Sequence, residues 1–126
     1  MSCPYCPPLE PQQVVRFGDE LVMYLEDERW QDSLKYSGII VPVRHAETVF
    51  DLTADEVAAT FRMLAQAKEW LDREHSPDGY NVGWNSGAVA GQQVFHAHLH
   101  VIPRFQQEPL AGQGIRSHLK GPANAW

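Results

Sequence analysis

Three histidines alternate with apolar residues in the sequence HAHLH, residues 96–100. In an extended strand alternate side chains point to the same face, so His96, His98 and His100 would form a row of imidazoles spaced by about 6.5 Å. The apolar residues on both sides of the row favour a strand over a helix. Imidazole titrates near neutral pH, ligates metals and attacks phosphorus. The row therefore predicts a site for catalysis or ligand binding.

Three kinds of chemistry suit such a row. The imidazoles could bind one metal ion, but the first and third lie about 13 Å apart along a strand, so a bulge would be needed. One imidazole could instead attack phosphorus while its neighbours orient it and bind the phosphate. The row could also bind a polyphosphate without catalysis. Gly91 precedes the strand and would let backbone amides approach an anion closely.

Composition indicates one globular domain, residues 1–126. The chain is 44% hydrophobic and 21% charged, and it is long enough to bury a core. We expect a cytoplasmic protein, because the sequence has neither an apolar run of membrane-spanning length nor the features of a secretion signal. The net charge of −6 argues against binding to a nucleic-acid polymer, which requires clustered Lys and Arg.

Apolar and β-branched runs predict strands that precede and follow one helix. We expect an irregular, proline-rich arm at residues 1–13, a turn at residues 17–20, and polar coil after Pro103. The predicted strands lie at residues 21–25, 37–43 and 80–85, in the histidine segment, and near residues 114–119. This order of elements is typical of an α+β domain with a mainly antiparallel sheet.

The helix is predicted from its first turn and its periodicity. Thr53 and Glu56 have the spacing of a capping box, and SPDG at residues 76–79 ends the pattern. Apolar residues recur at helical spacing up to about residue 74 and form the expected core-facing stripe: Val57, Phe61, Leu64 and Leu71.

The sequence GQQVFHAHLHVIPRF, residues 91–105, resembles the signature of the histidine triad family. GIIVPVRH and DLTADE, at residues 38–45 and 51–56, resemble two further parts of that family. The resemblance implies a HIT-like fold: a five-stranded, mainly antiparallel sheet with one long helix and a short second helix, paired into a homodimer. Residues 104–126 would then be a C-terminal extension.

The resemblance also implies an activity. His98 matches the nucleophile that attacks the α-phosphorus of a nucleotide and forms a nucleotidyl-histidine intermediate, which water then hydrolyses. His100 and His96 match the flanking histidines, of which His100 would contact the phosphate. The implied enzyme is a dinucleoside polyphosphate hydrolase or a nucleoside phosphoramidase acting on a purine nucleotide. A divalent cation could accompany a polyphosphate substrate.

Further positions match substrate contacts in that family. Glu26, or Asp27 beside it, matches the acidic residue that binds the ribose hydroxyls. Ser37 stands where many members have a histidine; it can form a hydrogen bond but cannot titrate near pH 7. Gln93 shares a strand face with Phe95, so a local bulge would be needed to turn its amide toward the histidines. The remaining expected contacts to the phosphate and the leaving group are Asn85, Gly91, Gln92 and Gln93.

Cys3 and Cys6 in CPYC have the spacing of zinc ligands, but two thiols alone are incomplete. By resemblance to members with an N-terminal CxxC, His45 and His96 would complete a structural Cys2His2 zinc site that ties the arm to the sheet. Free thiols and a redox pair are the alternatives.

Two other functions stay open on the sequence alone. One is a nucleotide-binding regulatory protein with little turnover. The other is a metal-dependent hydrolase in which the histidine row itself holds the metal.

Overall fold

The fold is an antiparallel sheet of five strands with one α-helix packed on one face. The computed structural model describes residues 3–126, so the first two residues of the predicted arm lie outside the described part. The sheet order is β1-β2-β3-β5-β4, and each neighbouring pair is antiparallel. The α+β class is confirmed. The strands are β1 (Gln13–Gly18), β2 (Val22–Asp27), β3 (Gly38–Pro42), β4 (Gly79–Gly83) and β5 (Leu99–Arg104).

The helix α1 (Ala54–His75) begins at the predicted capping box. The Glu56 amide donates to Thr53 Oγ1 at 3.1 Å, and the Thr53 amide donates to Glu56 Oε1 at 2.8 Å. These two bonds satisfy backbone donors that the first turn of a helix leaves free. Ser76, in the left-handed conformation with φ of 48°, ends the helix.

Each face of the sheet buries its own apolar layer, because successive side chains of a strand point to opposite faces. On one face, the helix packs against Val22, Tyr24, Ile40, Leu99 and Val101. On the other face, Tyr5 of the N-terminal arm packs against Met23, Leu25, Ile39 and Val41. The arm is irregular and most of its residues are partly or fully exposed, but Tyr5 is only 7% exposed, so the arm contributes this residue to the core.

Two strand predictions were wrong. Strand β1 was not predicted, because its residues were expected to be the end of the arm and a turn. Residues 114–119 were predicted to be a strand but form turns. Strand β1 lies at the sheet edge and leaves Val14 and Val15 more than 40% exposed, so it lacks the buried apolar run of a central strand. Its register also shifts between Val15 and Phe17.

The predicted apolar stripe of the helix is only partly buried. Leu71 is buried, but Phe61 is 52% exposed, and Val57 and Leu64 are half-buried. The face against the sheet carries small or flexible side chains that let helix and sheet approach closely: Ala59, Met63 and Ala67. Phe61 instead contacts Trp84, with ring centroids 6.2 Å apart.

Of the helical segments in residues 3–126, α1 is the α-helix and the other four are three-residue 3-10 turns. The expected short second helix is therefore represented only by such turns. In the same residues, no helix has the length and apolar character needed to cross a bilayer.

The close packing of Tyr24 against Gly38 can be tested by adding a methyl group at Gly38. A Cβ added there would lie 2.4 Å from Tyr24 Cζ, well inside van der Waals contact, whereas nothing lies within 4 Å of a Cβ added at Gly79. We expect Gly38→Ala to lower the free energy of unfolding by about 2–3 kcal/mol because the buried Tyr24 ring must move. Gly79→Ala is the matched strand control and should change it by less than about 1 kcal/mol. Urea denaturation followed by tryptophan fluorescence measures both; equal effects would contradict this packing.

Candidate functional site

The three histidines do not form one straight row, because regular strand begins only at Leu99. Residues 93–98 are irregular, and the Ala97 amide donates to the Ala46 carbonyl at 2.7 Å, outside the sheet ladder. His96 therefore turns toward the N-terminal arm. His98 and His100 turn toward a cavity, with ring centroids 4.8 Å apart. The row thus divides into two different environments.

His98 is oriented by the backbone of its neighbour. Its Nδ1–H donates to the carbonyl of His96 at 2.8 Å. A carbonyl can only accept, so this bond places the proton on Nδ1 and leaves the lone pair on Nε2. Burial lowers the pKa of His98 and so favours the neutral ring. In this tautomer Nε2 is free to act as a nucleophile.

His100 is also kept neutral. Burial, together with repulsion from His98, lowers its pKa to about 4. Its Nε2 is buried and has no hydrogen-bond partner in the protein. A buried polar atom without a partner is costly, so this nitrogen suits a bound ligand.

The cavity next to these rings has a volume of about 330 Å³. Three predicted contact residues line it with His98 and His100: Asn85, Gly91 and Gln93. Gly91 has φ of 95°, a backbone conformation that favours glycine, and it lies beside the Asn85 amide. Because residues 93–98 are irregular, Gln93 reaches the cavity despite its position relative to Phe95.

Three other predicted contacts lie outside the cavity lining. Both Gln92 amide atoms are used internally: Oε1 accepts from the Gly87 amide at 2.8 Å, and Nε2 donates to the Glu47 and Val94 carbonyls. Glu26 accepts from Arg16 at 2.8 Å. Asp27 is 1% exposed. Gln92 thus braces the loop before the histidines.

Arg29 occupies both carboxylate oxygens of Asp27. The Arg29 amide and Nε donate to Oδ1, each at 2.9 Å, and Nη2 donates to Oδ2 at 2.6 Å. These hydrogen bonds hold the pKa of Asp27 below its usual range. The carboxylate is therefore charged, bound and screened from the cavity.

A second cluster joins the arm to His96. The ligand atoms of Cys3, Cys6, His45 and His96 all lie within 4.8 Å of one another. His96 Nδ1 is 3.2 Å from Cys3 Sγ and 3.4 Å from Cys6 Sγ, and His45 Nδ1 is 3.3 Å from Cys6 Sγ. These are close to the edge length of about 3.5 Å in a tetrahedral site with two sulfur and two nitrogen ligands. The four residues predicted as metal ligands thus lie together.

The tautomer of His96 fits metal binding. Its Nε2–H donates to the Pro42 carbonyl at 2.8 Å, which leaves the Nδ1 lone pair facing the two cysteines. Burial lowers the pKa of His96, and burial raises the pKa of the Cys6 thiol to about 11 in the absence of a cation. The donor set is that of a structural zinc site.

Sequence reasoning missed Tyr5, which lies between the two cysteines. Its ring packs edge-on against His98, with centroids 5.2 Å apart, and against His96 at 6.1 Å. Burial, followed by the charge of Asp27, raises its pKa to about 12. The signal was present in CPYC, since an arm tied to His96 must bring its intervening residues close to the histidines. The other cavity residues that were missed are Trp30, Leu34, Gly38, Ile39, Val94 and Ile102.

A larger cavity of about 830 Å³ adjoins the first and shares Leu34 and Ile102 with it. The stacked rings of Tyr36 and His75 line it, with centroids 3.7 Å apart. None of the three histidines of HAHLH lines this cavity. His98 and His100 therefore mark the smaller of the two cavities as the candidate site.

Comparison with known proteins identifies the family. A model of the HIT domain matches residues 11–107. A HIT-like protein of Methanocaldococcus jannaschii is 34% identical over 96 residues, which are 76% of this chain and 71% of that protein. A crystal structure of a HIT family member from Bacillus subtilis matches with a TM-score of 0.73 at 29% identity, covering 85% of this chain and 76% of the other. The chain belongs to the histidine triad (HIT) family, as its sequence motif implied.

Two of the relatives that are named as nucleotide hydrolases come from Schizosaccharomyces pombe. A bis(5'-nucleosyl)-tetraphosphatase is 32% identical over 82 residues, 65% of this chain and 45% of that protein. An adenosine 5'-monophosphoramidase is 28% identical over 88 residues, 70% of this chain and 63% of that protein. The chain spans between 41% and 71% of the length of the curated relatives described, and about half in most cases.

The low pKa of His100 predicts a pH-dependent stability. Between pH 6.5 and about pH 4 the unfolded chain takes up a proton at His100 that the folded chain does not, so the free energy of unfolding falls as the pH falls. One such group changes it by at most about 1.4 kcal/mol per pH unit, and partial exposure of the ring reduces this. We expect His100→Asn to show a shallower decline than the wild type in urea denaturation at pH 7, 5.5 and 4.5. Parallel curves would contradict a neutral, buried His100.

Proposed function

We propose that this protein is a nucleotide hydrolase or nucleotidyl transferase that acts at the α-phosphate through a covalent nucleotidyl-His98 intermediate. The observation that carries the proposal is the His98 Nδ1 to His96 carbonyl bond of 2.8 Å. It leaves a neutral ring with an unprotonated Nε2 beside a cavity, which is what attack on phosphorus at neutral pH requires.

In the proposed reaction, the Nε2 lone pair of His98 attacks the α-phosphorus. A nitrogen–phosphorus bond forms as the bond to the leaving group breaks, and its electron pair departs with the leaving group. Water then attacks the same phosphorus, the electron pair of the nitrogen–phosphorus bond returns to His98 Nε2, and the nucleoside monophosphate is released as the attacking water loses a proton to solvent. Transfer to another acceptor would replace the water in this second step.

The neighbouring groups are proposed to hold the phosphate. Asn85, Gly91 and Gln93 lie on the chain between β4 and β5 and line the cavity with His98. Amide donors at these positions would stabilise the charge that develops on the phosphate oxygens. His100 would face the same oxygens, since its buried Nε2 has no partner in the protein. His96 would act through its carbonyl on His98.

The proposed substrates are a dinucleoside polyphosphate or a nucleoside phosphoramidate, in keeping with the names of the two fission-yeast relatives. Both contain a nucleoside monophosphate joined through its phosphorus to a leaving group. Tyr5 and Trp30 line the same cavity, and aromatic rings suit stacking with a purine base. A polyphosphate substrate would bring its own divalent cation.

The two alternatives remain distinguishable by experiment. A nucleotide-binding regulator would use the same cavity without turnover. A metal-dependent hydrolase built on the histidine row has less support, because His96 turns to the cysteines while His98 Nδ1 is bonded to a carbonyl.

We further propose that Cys3, Cys6, His45 and His96 hold a structural zinc ion. The support is the donor set, the compact arrangement and the tautomer of His96. Zinc would fix the arm, and thereby Tyr5, against the sheet. Neither cysteine is in a disulfide, so both sulfur atoms are available as ligands.

A homodimer is proposed from the apolar surface at one sheet edge. Strand β4 is an edge strand, and exposed or half-exposed apolar residues lie beside it: Phe61, Val82 and Trp84. Pairing of two edges would cover backbone groups that are otherwise unpaired. Sedimentation equilibrium tests this directly.

Replacing the nucleophile tests the catalytic proposal. We expect His98→Gln to lower the rate of monophosphate release from a dinucleoside tetraphosphate or an adenosine phosphoramidate by at least about a thousandfold. In rapidly quenched wild type, mass spectrometry should detect a nucleotidyl adduct on His98. His75→Gln is a control histidine outside the site. Full activity of His98→Gln with no adduct would eliminate covalent catalysis, while nucleotide binding without turnover in the wild type would favour the regulator.

Metal analysis tests the zinc proposal. We expect about one zinc per chain, and loss of the metal in the Cys3→Ser, Cys6→Ser double variant with a lower midpoint of thermal unfolding. Removal of zinc by chelation should lower the midpoint while leaving the His98 adduct detectable. If the purified wild type contains no metal and chelation leaves its midpoint of thermal unfolding unchanged, the zinc site is excluded. If the His98 adduct forms only when metal is added, the metal-dependent alternative is favoured.

A further inference from the structure

Ser37 carries a buried hydroxyl that the fold does not use. The residue directly precedes β3, is 3% exposed and lines the same cavity as His98 and His100. Its Oγ has no hydrogen-bond partner. Its backbone is fixed, because the amide donates to the Leu34 carbonyl at 3.0 Å. A hydroxyl held in a cavity without a partner is available to a ligand.

The strand register places Ser37 next to His100. Gly38 is opposite Val101 and Ile39 is opposite His100 in the β3–β5 pair. Ser37 lies two residues before Ile39 and therefore on the same face of the sheet as His100. The Ser37 hydroxyl and His100 Nε2 are the two buried polar atoms of this cavity lining that lack partners.

The carboxylates expected to bind the sugar are engaged elsewhere. Glu26 accepts from Arg16 and does not line the cavity. Both oxygens of Asp27 accept from Arg29, and the side chain is 1% exposed. Of the other polar lining side chains, Asn85 and Gln93 lie on the connection between β4 and β5, where the phosphate is proposed to bind, and Tyr5 and Trp30 carry the rings proposed to stack with the base.

We propose that the Ser37 hydroxyl is a substrate-binding group that forms a hydrogen bond with a hydroxyl of the substrate's sugar. This inference rests on the proposed function, which places the α-phosphate at His98 and His100. The sugar is joined to that phosphate and must lie beside those rings. A serine hydroxyl both donates and accepts, so it can pair with a sugar hydroxyl without titrating near neutral pH.

Binding of AMP, 2'-deoxy-AMP and 3'-deoxy-AMP, measured by calorimetry, tests the proposal. The wild type should bind one deoxy analogue about five- to tenfold more weakly than AMP, as expected for one uncharged hydrogen bond. Ser37→Ala should weaken the binding of AMP by the same factor, so that AMP and this deoxy analogue bind equally well. Ser37→Thr keeps a hydroxyl and should retain the discrimination between the two ligands. Asp27→Asn should leave the discrimination unchanged.

The stability of Ser37→Ala gives an independent readout. Because the hydroxyl has no partner in the free protein, its removal should not lower the midpoint of thermal unfolding. A lower midpoint would mean that the hydroxyl is bonded within the protein and would overturn the proposal.

Other outcomes overturn it in distinguishable ways. Unchanged discrimination in Ser37→Ala, or its loss in Asp27→Asn, would assign the sugar to another group and leave the proposed function standing. If Ser37→Ala weakens the binding of all three ligands by the same factor, Ser37 acts through His100 and not on the sugar. Failure of the wild type to bind any of the three would overturn the proposed function together with this inference.

Discussion

The site depends on one hydrogen bond, from His98 Nδ1 to the carbonyl of His96. It fixes the tautomer of His98, and it lies in residues 93–98, which are outside the regular sheet ladder. In a continuous strand, alternate rings would have shared one face and one environment. Because the segment is irregular, the ring of His96 faces the sulfur atoms of Cys3 and Cys6, whereas the ring of His98 faces the cavity.

His96 consequently connects two sites. Its Nε2 is bonded to Pro42, its Nδ1 faces Cys3 and Cys6, and its carbonyl orients His98. A change at the cysteine cluster therefore has a short physical route to the proposed nucleophile. Tyr5 gives a second route, since it is carried by the same arm and packs against the His98 ring. These contacts explain why Tyr5 is buried although most of the arm is partly or fully exposed.

Much of the fold and site could be predicted because their signals are local. The capping box of Thr53 and Glu56 fixed the helix start, and the spacing of Cys3 and Cys6, with the family resemblance, indicated the cluster. What could not be predicted depends on distant contacts. Strand β1 is held by pairing at an edge that leaves its valines exposed, and the break before Leu99 is set by a bond to Ala46.

Side-chain pairing limited prediction of the substrate contacts. The sequence shows that Asp27 and Arg29 are two residues apart, but not that the guanidinium covers both carboxylate oxygens. Likewise, the departure from histidine at Ser37 was visible, whereas the burial of its unpartnered hydroxyl was not. Conformation and solvation, rather than residue type, decide which polar groups are available to a ligand.

The docking of the arm has a consequence for the order in which the fold can be completed. Cys3 is separated from its partner His96 by 93 positions, so the arm can reach its native place only after the segment that carries His96 is in position. Closing so long a loop carries an entropic cost that grows only slowly with length. The contact of Tyr5 with the His98 ring therefore forms only when residues far apart in the chain have come together.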